Sequence, residues 1–395
     1  MKTVKPKGKV WTLPRKAAGV GPCITSGQSS VVSENVVHAQ PAGDHSHLAP
    51  LRVTPVYDTY WRFAAERQRV YMQRVAGLPA PWTNDPVISV HKFTNAYRAS
   101  DRVSQYLIRN VIYRDDLPKS AEEVLFRTLL FKLFNKIETW EMLERTFGAV
   151  TLADYDFTRY DRVLTGTKNS GERIYSAAYI MPPGGSAYGH ELKHQNHLRL
   201  LEQMLSDGLA TKLGKLRKMQ AGFELLKSYP TIGDFLAYQF IIDINYTELT
   251  DFPETEFVVP GPGAKDGLRK CFSDSAGLSE PELIRLMADH QEREFERLGL
   301  NFDSLWGRPL QLIDCQNLFC EVDKYARVAH PEVAGISGRS RIKQKFASSG
   351  DVPRPWYPPK WGINEKIDAD VQVRGSRECA KRGERTLKQF DLALE

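Results

Sequence analysis

Between Thr54 and Ala329 apolar and aromatic residues return at helical spacing, and strand-like alternation is scarce. That period gathers every third or fourth side chain on one face, so the chain can bury itself only by packing helix on helix. The sequence therefore predicts a mainly α fold, without internal repeats. Val56-Tyr57-Asp58-Thr59-Tyr60-Trp61-Arg62-Phe63 opens an aromatic-rich helix running to about Val75. Further helices are expected over Phe93–Tyr113, Ala121–Phe134, Trp140–Phe147, His190–Leu205, Leu209–Lys227, Phe235–Tyr246, Gly267–Phe272, Glu280–Leu298 and Gln311–Ala329. Residues 151–172 read as a short helix and a turn ahead of Ile174–Ile180. Pro182-Pro183-Gly184-Gly185 then breaks the chain into an ordered loop.

Three regions follow from the composition. Residues 1–52 are rich in Gly, Ser, Pro and small polar residues and read as a disordered basic tail. Residues 53–334 form the helical domain. In the extension 335–395, Arg339, Arg341, Lys343 and Lys345 alternate ahead of Pro353-Arg354-Pro355-Trp356-Tyr357-Pro358-Pro359-Lys360-Trp361. Basic residues beside stacking aromatics suit nucleic acid. The same residues describe a Pro-rich strap packed on the domain, which is the favoured reading.

The formal net charge of +6 comes from the tail. Residues 1–16 hold Lys2, Lys5, Lys7, Lys9, Arg15 and Lys16 and no acid, leaving 48 basic against 48 acidic residues in the rest of the chain. Any affinity for nucleic acid must then come from a local face and a basic arm. No apolar run approaches the ~18 residues of a membrane span. The basic N-terminus lacks the apolar core of a secretory signal. Five irregularly spaced cysteines point to a reducing, cytoplasmic setting.

Two motifs in the second half carry the chemistry. Tyr229-Pro230-Thr231-Ile232-Gly233-Asp234 reads as a tight turn between two helices, a hairpin that can aim backbone N–H groups at a phosphate. A short way downstream lies Glu256-Phe257-Val258-Val259-Pro260-Gly261-Pro262-Gly263-Ala264-Lys265-Asp266-Gly267. Two polar segments complete the set. Asn95, Arg98, Arg102 and Gln105 are expected near one helix face, with Asp101 orienting the Arg98 guanidinium. Asp314, Asn317, Glu321 and Lys324 recur on another, with Gln316 among them.

Other chemistry is not indicated. His190-Glu191-Leu192-Lys193-His194 fits a zinc-protease spacing, but no third ligand follows and no metal is expected. Cys315 and Cys320 lack partners for a zinc or iron–sulfur site. The stretches Gly166-Thr167-Lys168-Asn169-Ser170-Gly171 and Gly261–Lys265 do not spell a P-loop. No cofactor is expected.

Together Phe93-Thr94-Asn95-Ala96-Tyr97-Arg98, Glu256–Ala264 and Asp314–Glu321 with Lys324-Tyr325 resemble the DNA base-hypermodification family, over roughly residues 55–330. That family comprises the helical domain of 5-hydroxymethyluridine DNA kinases and the α-glutamyl/putrescinyl thymine pyrophosphorylases, and it resembles helix-hairpin-helix DNA glycosylases. Thr231 stands where such hairpins commonly have Gly, and Glu254 or Glu256 where they have the catalytic Asp. The resemblance implies double-stranded DNA carrying modified pyrimidines as partner, and extrusion of one nucleotide into a pocket.

The leading expectation is a glycosylase that excises a 5-hydroxymethyl-derived pyrimidine, in defence against phage with modified DNA. The alternative is an amino-acid or polyamine transferase acting on an activated 5-hydroxymethylpyrimidine, supplied by a partner kinase. In the first reading Glu256 is catalytic, with Asp243 and Glu254 as the other candidate acids. Ile232, Gly233, Gly261, Gly263 and Lys265 would hold DNA. Asn95, Arg98, Asp101, Gln105, Gln316, Asn317 and Glu321 would line the base pocket.

Overall fold

The computed structural model describes residues 51–347, 350 and 352–370, and the expected tail lies outside them except for Leu51 and Arg52, the latter paired in a short strand. The described chain is mainly helical. In order it forms α1 (Pro55–Val75), α2 (Pro86–Val90), α3 (Arg102–Tyr106), α4 (Ala121–Phe134), α5 (Ile137–Phe147), α6 (Phe157–Asn169) and α7 (Gly185–Tyr188). There follow α8 (Lys193–Ser206), α9 (Leu209–Gly214), α10 (Met219–Lys227), α11 (Asp234–Ile244), α12 (Pro262–Cys271), α13 (Glu280–Arg297) and α14 (Leu312–Ala329). A short antiparallel pair, β1 (Arg52–Val53) and β2 (Phe272–Asp274), ties the start of α1 to the end of α12.

Local chemistry sets the helix starts. Thr54 accepts the Val56 N–H and Pro55 fills the first turn of α1. Asp85 takes two N–H groups of α2, Ser120 caps α4, and Ser279 with Glu282 closes a capping box on α13. The expected helix over Phe93–Tyr113 does not form as one element. Its first half is irregular apart from a 3-10 turn at Arg98–Ser100, and only α3 with its wider continuation Leu107–Ile112 is helical. Side chains take the backbone there: Asp101 Oδ1 accepts the Asn95 N–H at 2.8 Å, and Asn95 Nδ2 reaches the Ser100 carbonyl at 2.8 Å. Leu209–Lys227 likewise breaks into α9 and α10, and Ile174–Ile180 stays irregular.

Helix α14 packs against α1, α2, α12 and α13, while α4 packs against α5, α8, α9 and α11. The two sets meet at the Arg98 turn, which lies against α14 and reaches Asp243 of α11 with its guanidinium. The closest helix crossing is α12 on α14. A Cβ on Gly267 would sit 2.1 Å from the Phe319 carbonyl oxygen, and one on Gly263 would lie 3.2 Å from Cys320 Sγ. Glycines four apart thus let the two backbones touch, and this is a packing use of the Gly-Pro-Gly motif.

The described part of the C-terminal extension packs as a strap. Tyr357 is fully buried, and its hydroxyl meets Tyr71 at 2.7 Å and Ser100 at 2.8 Å. Trp361 stacks on Tyr357 with centroids 5.8 Å apart, and Arg308 lies 3.9 Å over Trp361. Among the described residues no helix is long and apolar enough to cross a membrane.

Candidate functional site

The seam between the two helix sets holds a closed charged centre. Arg98 Nη1 contacts Asp243 Oδ1 at 2.5 Å, and Lys132 Nζ contacts Asp243 Oδ2 at 2.5 Å, all three side chains being 3 % exposed. Arg98 also donates to Gln239 Oε1 at 3.2 Å and to the Tyr246 hydroxyl at 2.9 Å. Its backbone N–H donates to Asp314 Oδ1 at 2.8 Å. One residue therefore joins α14, α11 and, through Asp243, α4.

The electrostatics follow from this closure. Burial would raise the Asp243 carboxyl, but Arg98 and Lys132 outweigh it and hold the group below the usual carboxylate range. Burial opposes the Arg98 charge, and Asp243 with the surrounding phenols keeps it firmly cationic. Lys132 is the exception: burial outweighs Asp243 and brings its ammonium down to about 8. Asp314 is pushed up to about 6 by burial, although the Gln311 and Arg98 N–H groups both donate to it. The centre so combines a fixed guanidinium with an amine poised near neutral pH, a pairing suited to anionic oxygen and proton chemistry.

An irregular loop covers Lys132. The Tyr179 ring lies 4.1 Å from the Lys132 ammonium and stacks on Phe235 with centroids 5.8 Å apart and planes 14° from parallel. Phe235 begins α11 and closes against Gly261, where an added Cβ would stand 2.9 Å away. Next to Gly261 lies Gln316, 1 % exposed, with Nε2 3.3 Å from Cys320 Sγ and Oε1 without a partner.

Of the sequence-predicted site residues, Arg98 and Asp243 form this centre, and Gln316 lies by Gly261 and Cys320. The others separate. Glu256 is exposed, and what it contributes is a backbone carbonyl accepting from Arg285 at 2.6 Å, so the expected catalytic carboxylate stands away from the centre. Glu254 makes an ion pair with Arg308 at 2.8 Å and, though close enough to act on Asp314 and Tyr246, does not touch Arg98 or Lys132. Asp101 serves the Asn95 backbone and not Arg98, whose guanidinium turns to Asp243. Asn95 is held by Arg67 and Ser100, and Gln105 clamps the strap through both backbone groups of Trp356. Glu321 accepts the Thr94 N–H at 2.9 Å and pairs with Lys324 at 2.7 Å, while Asn317 is half-buried on α14.

A turn joins α10 to α11, with Ile232 buried in the core and Gly233 exposed at the N-cap of α11. Thr231 adopts φ +69, the left-handed region a glycine would take freely, and its Oγ1 is buried without a partner. Gly261 is the N-cap of α12, Gly263 faces Cys320, and Lys265 pairs with Glu280 at 3.2 Å. In the zinc-like stretch α8 starts only at Lys193, so His190 and His194 do not share a helix face. His194 meets Asp161 and Thr165, each at 2.9 Å. An open cleft of about 410 Å³ beside α1 and α13, lined by Tyr57, Asp58, His290 and Arg297, holds none of the expected site residues.

Sequence reasoning missed Lys132, Gln239, Tyr246, Tyr179 and Phe235. Lys132 did carry a signal, a lone cation inside Leu129-Leu130-Phe131-Lys132-Leu133-Phe134. A charge in so apolar a run must find a buried partner.

Residues 54–335 match the family described as 5-hmdU DNA kinase, helical domain. The chain is also 28 % identical over 286 residues to a 5-hmdU DNA kinase of Bacillus phage SP10, an alignment covering 68 % of this chain and 45 % of that protein. It thus spans less than half the length of that relative. No solved structure matches, and membership of the helix-hairpin-helix glycosylase superfamily gains no structural relative. These matches overturn the expectation of base excision. A kinase transfers a group to its substrate, whereas a glycosylase cuts the bond between base and sugar.

Proposed function

The chain belongs to the family of the 5-hmdU DNA kinase helical domain, and on that premise we propose that it binds DNA carrying a 5-hydroxymethylpyrimidine and takes part in group transfer at the 5-substituent. The observation that carries this reading is the Arg98–Lys132–Asp243 centre. Group transfer through a phosphorylated 5-hydroxymethyl group develops negative charge on phosphate oxygens, and paired cations in a dry site stabilise it. Asp243 holds both cations in place, Gln239 and Tyr246 fix the guanidinium plane, and Lys132 can hold or release a proton near neutral pH.

The Gly-rich stretches spell no P-loop, so a phosphoryl donor would bind a partner or a separate domain. Extrusion of the nucleotide would bring the base to this centre, and the tail cations Lys2 to Lys16 would add affinity for the backbone. The test is incubation with DNA containing 5-hydroxymethyluracil, with and without its phosphorylated form and candidate amine donors, followed by nucleoside mass spectrometry. A mass gain on the base supports the reading. Released free base, or DNA neither bound nor altered, overturns it.

A further inference from the structure

Tyr179 has φ +55, a conformation that a bulky aromatic side chain resists. Three contacts hold it there, the first from the Arg98 guanidinium to its hydroxyl. The ring lies flat on Phe235, and the Lys132 ammonium stands 4.1 Å from its centroid. Phe235 is partly buried on the first turn of α11, whereas Tyr179 comes from an irregular loop. The next residue, Ile180, is 73 % exposed, an apolar side chain held in solvent on the same turn. Gln316, buried beyond the Phe235–Gly261 contact, leaves a carbonyl oxygen unpartnered. An aromatic platform with two cations, Lys132 and Arg98, at its edge describes a place for a polar flat ring.

We propose that the Tyr179 ring holds the place of a pyrimidine: the slot over Phe235 and beside Lys132 receives the extruded base of the DNA substrate, and Tyr179 leaves it when DNA arrives. This rests on the reading that a DNA pyrimidine is the substrate. Phenol and pyrimidine are both single six-membered planar rings, so one can replace the other on the Phe235 face without further rearrangement of α11. Stacking of bases on aromatic side chains tolerates this exchange because every base presents a π-face. The Lys132 ammonium, now over the phenol, would then face the base and its 5-substituent, next to Arg98.

The experiment measures fluorescence anisotropy of a short single-stranded oligonucleotide bearing one 5-hydroxymethyluracil, so that no duplex opening is needed. Tyr179→Ala, on an irregular loop, should bind on the order of tenfold tighter than the parent chain, because the competing ring is gone. Phe235→Leu, which keeps apolar bulk but removes the platform, should bind weaker by a similar factor, in the presence or absence of Tyr179. Equal weakening by both substitutions would make Tyr179 a partner of the base and overturn its role as placeholder. Binding by the parent chain that neither substitution changes would overturn the slot and leave the proposed substrate standing. No binding by the parent chain or by Tyr179→Ala would sink both.

Discussion

Lys132 on α4 and Asp243 on α11 meet at 2.5 Å in the interior, and Arg98 takes the other oxygen of the same carboxylate. Each of these charges would be costly to bury alone, and the single acid compensates two cations at once. Arg98 in turn binds Asp314 through its backbone, so the same group of contacts both joins the helix sets and builds the candidate site.

Asp243→Asn leaves two buried cations without a counter-charge. The expected loss is about 3–5 kcal/mol of unfolding free energy, read by urea denaturation. Adding Lys132→Met should recover part of it, because one orphaned charge is removed. A loss below ~1 kcal/mol, the range of exposed pairs, would show that the centre is hydrated in solution.

The lysine should give the protein a pH signature. Its ammonium titrates at about 8 in the folded chain against an ordinary 10.5. Between those values the unfolded chain holds more protons, so this group's contribution to stability rises with pH and is lost as pH falls through about 8. Function that needs the cation runs the other way and declines as pH rises through about 8. Comparing DNA affinity of the parent chain and Lys132→Arg across pH 6–10 checks this, since arginine stays charged throughout. Parallel profiles would remove Lys132 from the site.

Glu256→Gln should leave DNA binding and group transfer unchanged within error. Its side chain stands exposed, away from the charged centre, and the local structure uses only its backbone carbonyl. A large drop in transfer rate with unaltered melting would return the catalytic role to Glu256.

Gly267→Ala should damage the fold more than Gly263→Ala. The added methyl of the first meets the Phe319 backbone oxygen, which cannot give way without moving α14. The second meets Cys320 Sγ at 3.2 Å and Cβ at 3.3 Å, a milder approach than a backbone oxygen at 2.1 Å. Overpacking of this kind costs about 1–3 kcal/mol or more, and thermal melting of the two variants should rank them in that order.

Thr231→Gly should stabilise. It relieves a β-branched residue at φ +69 and deletes a hydroxyl buried without a partner. The backbone term alone is roughly 1–2 kcal/mol, less the extra freedom glycine gives the unfolded chain. A lower midpoint in urea would mean that the threonine methyl, packed toward Gly184, outweighs the strain.

Helical class was legible in the sequence because its period is local: α1, α4, α13 and α14 fall close to where spacing and capping residues put them. Family was legible too, since Phe93–Arg98, Glu256–Ala264 and Asp314–Tyr325 are contiguous strings. What those residues do depended on partners far along the chain. Asn95, Gln105 and Glu321 look like base readers by type, yet backbone groups and neighbouring side chains from Thr94 to Trp356 already occupy their polar atoms. Gly261–Gly267 reads as a loop approaching DNA, yet its glycines also admit α14. The charged centre draws Arg98, Lys132 and Asp243 from three separate segments, and no local pattern relates them. Only helix packing brought one acid between two cations, because low dielectric makes an unpaired buried charge so costly that its partner must be found wherever the fold can supply it.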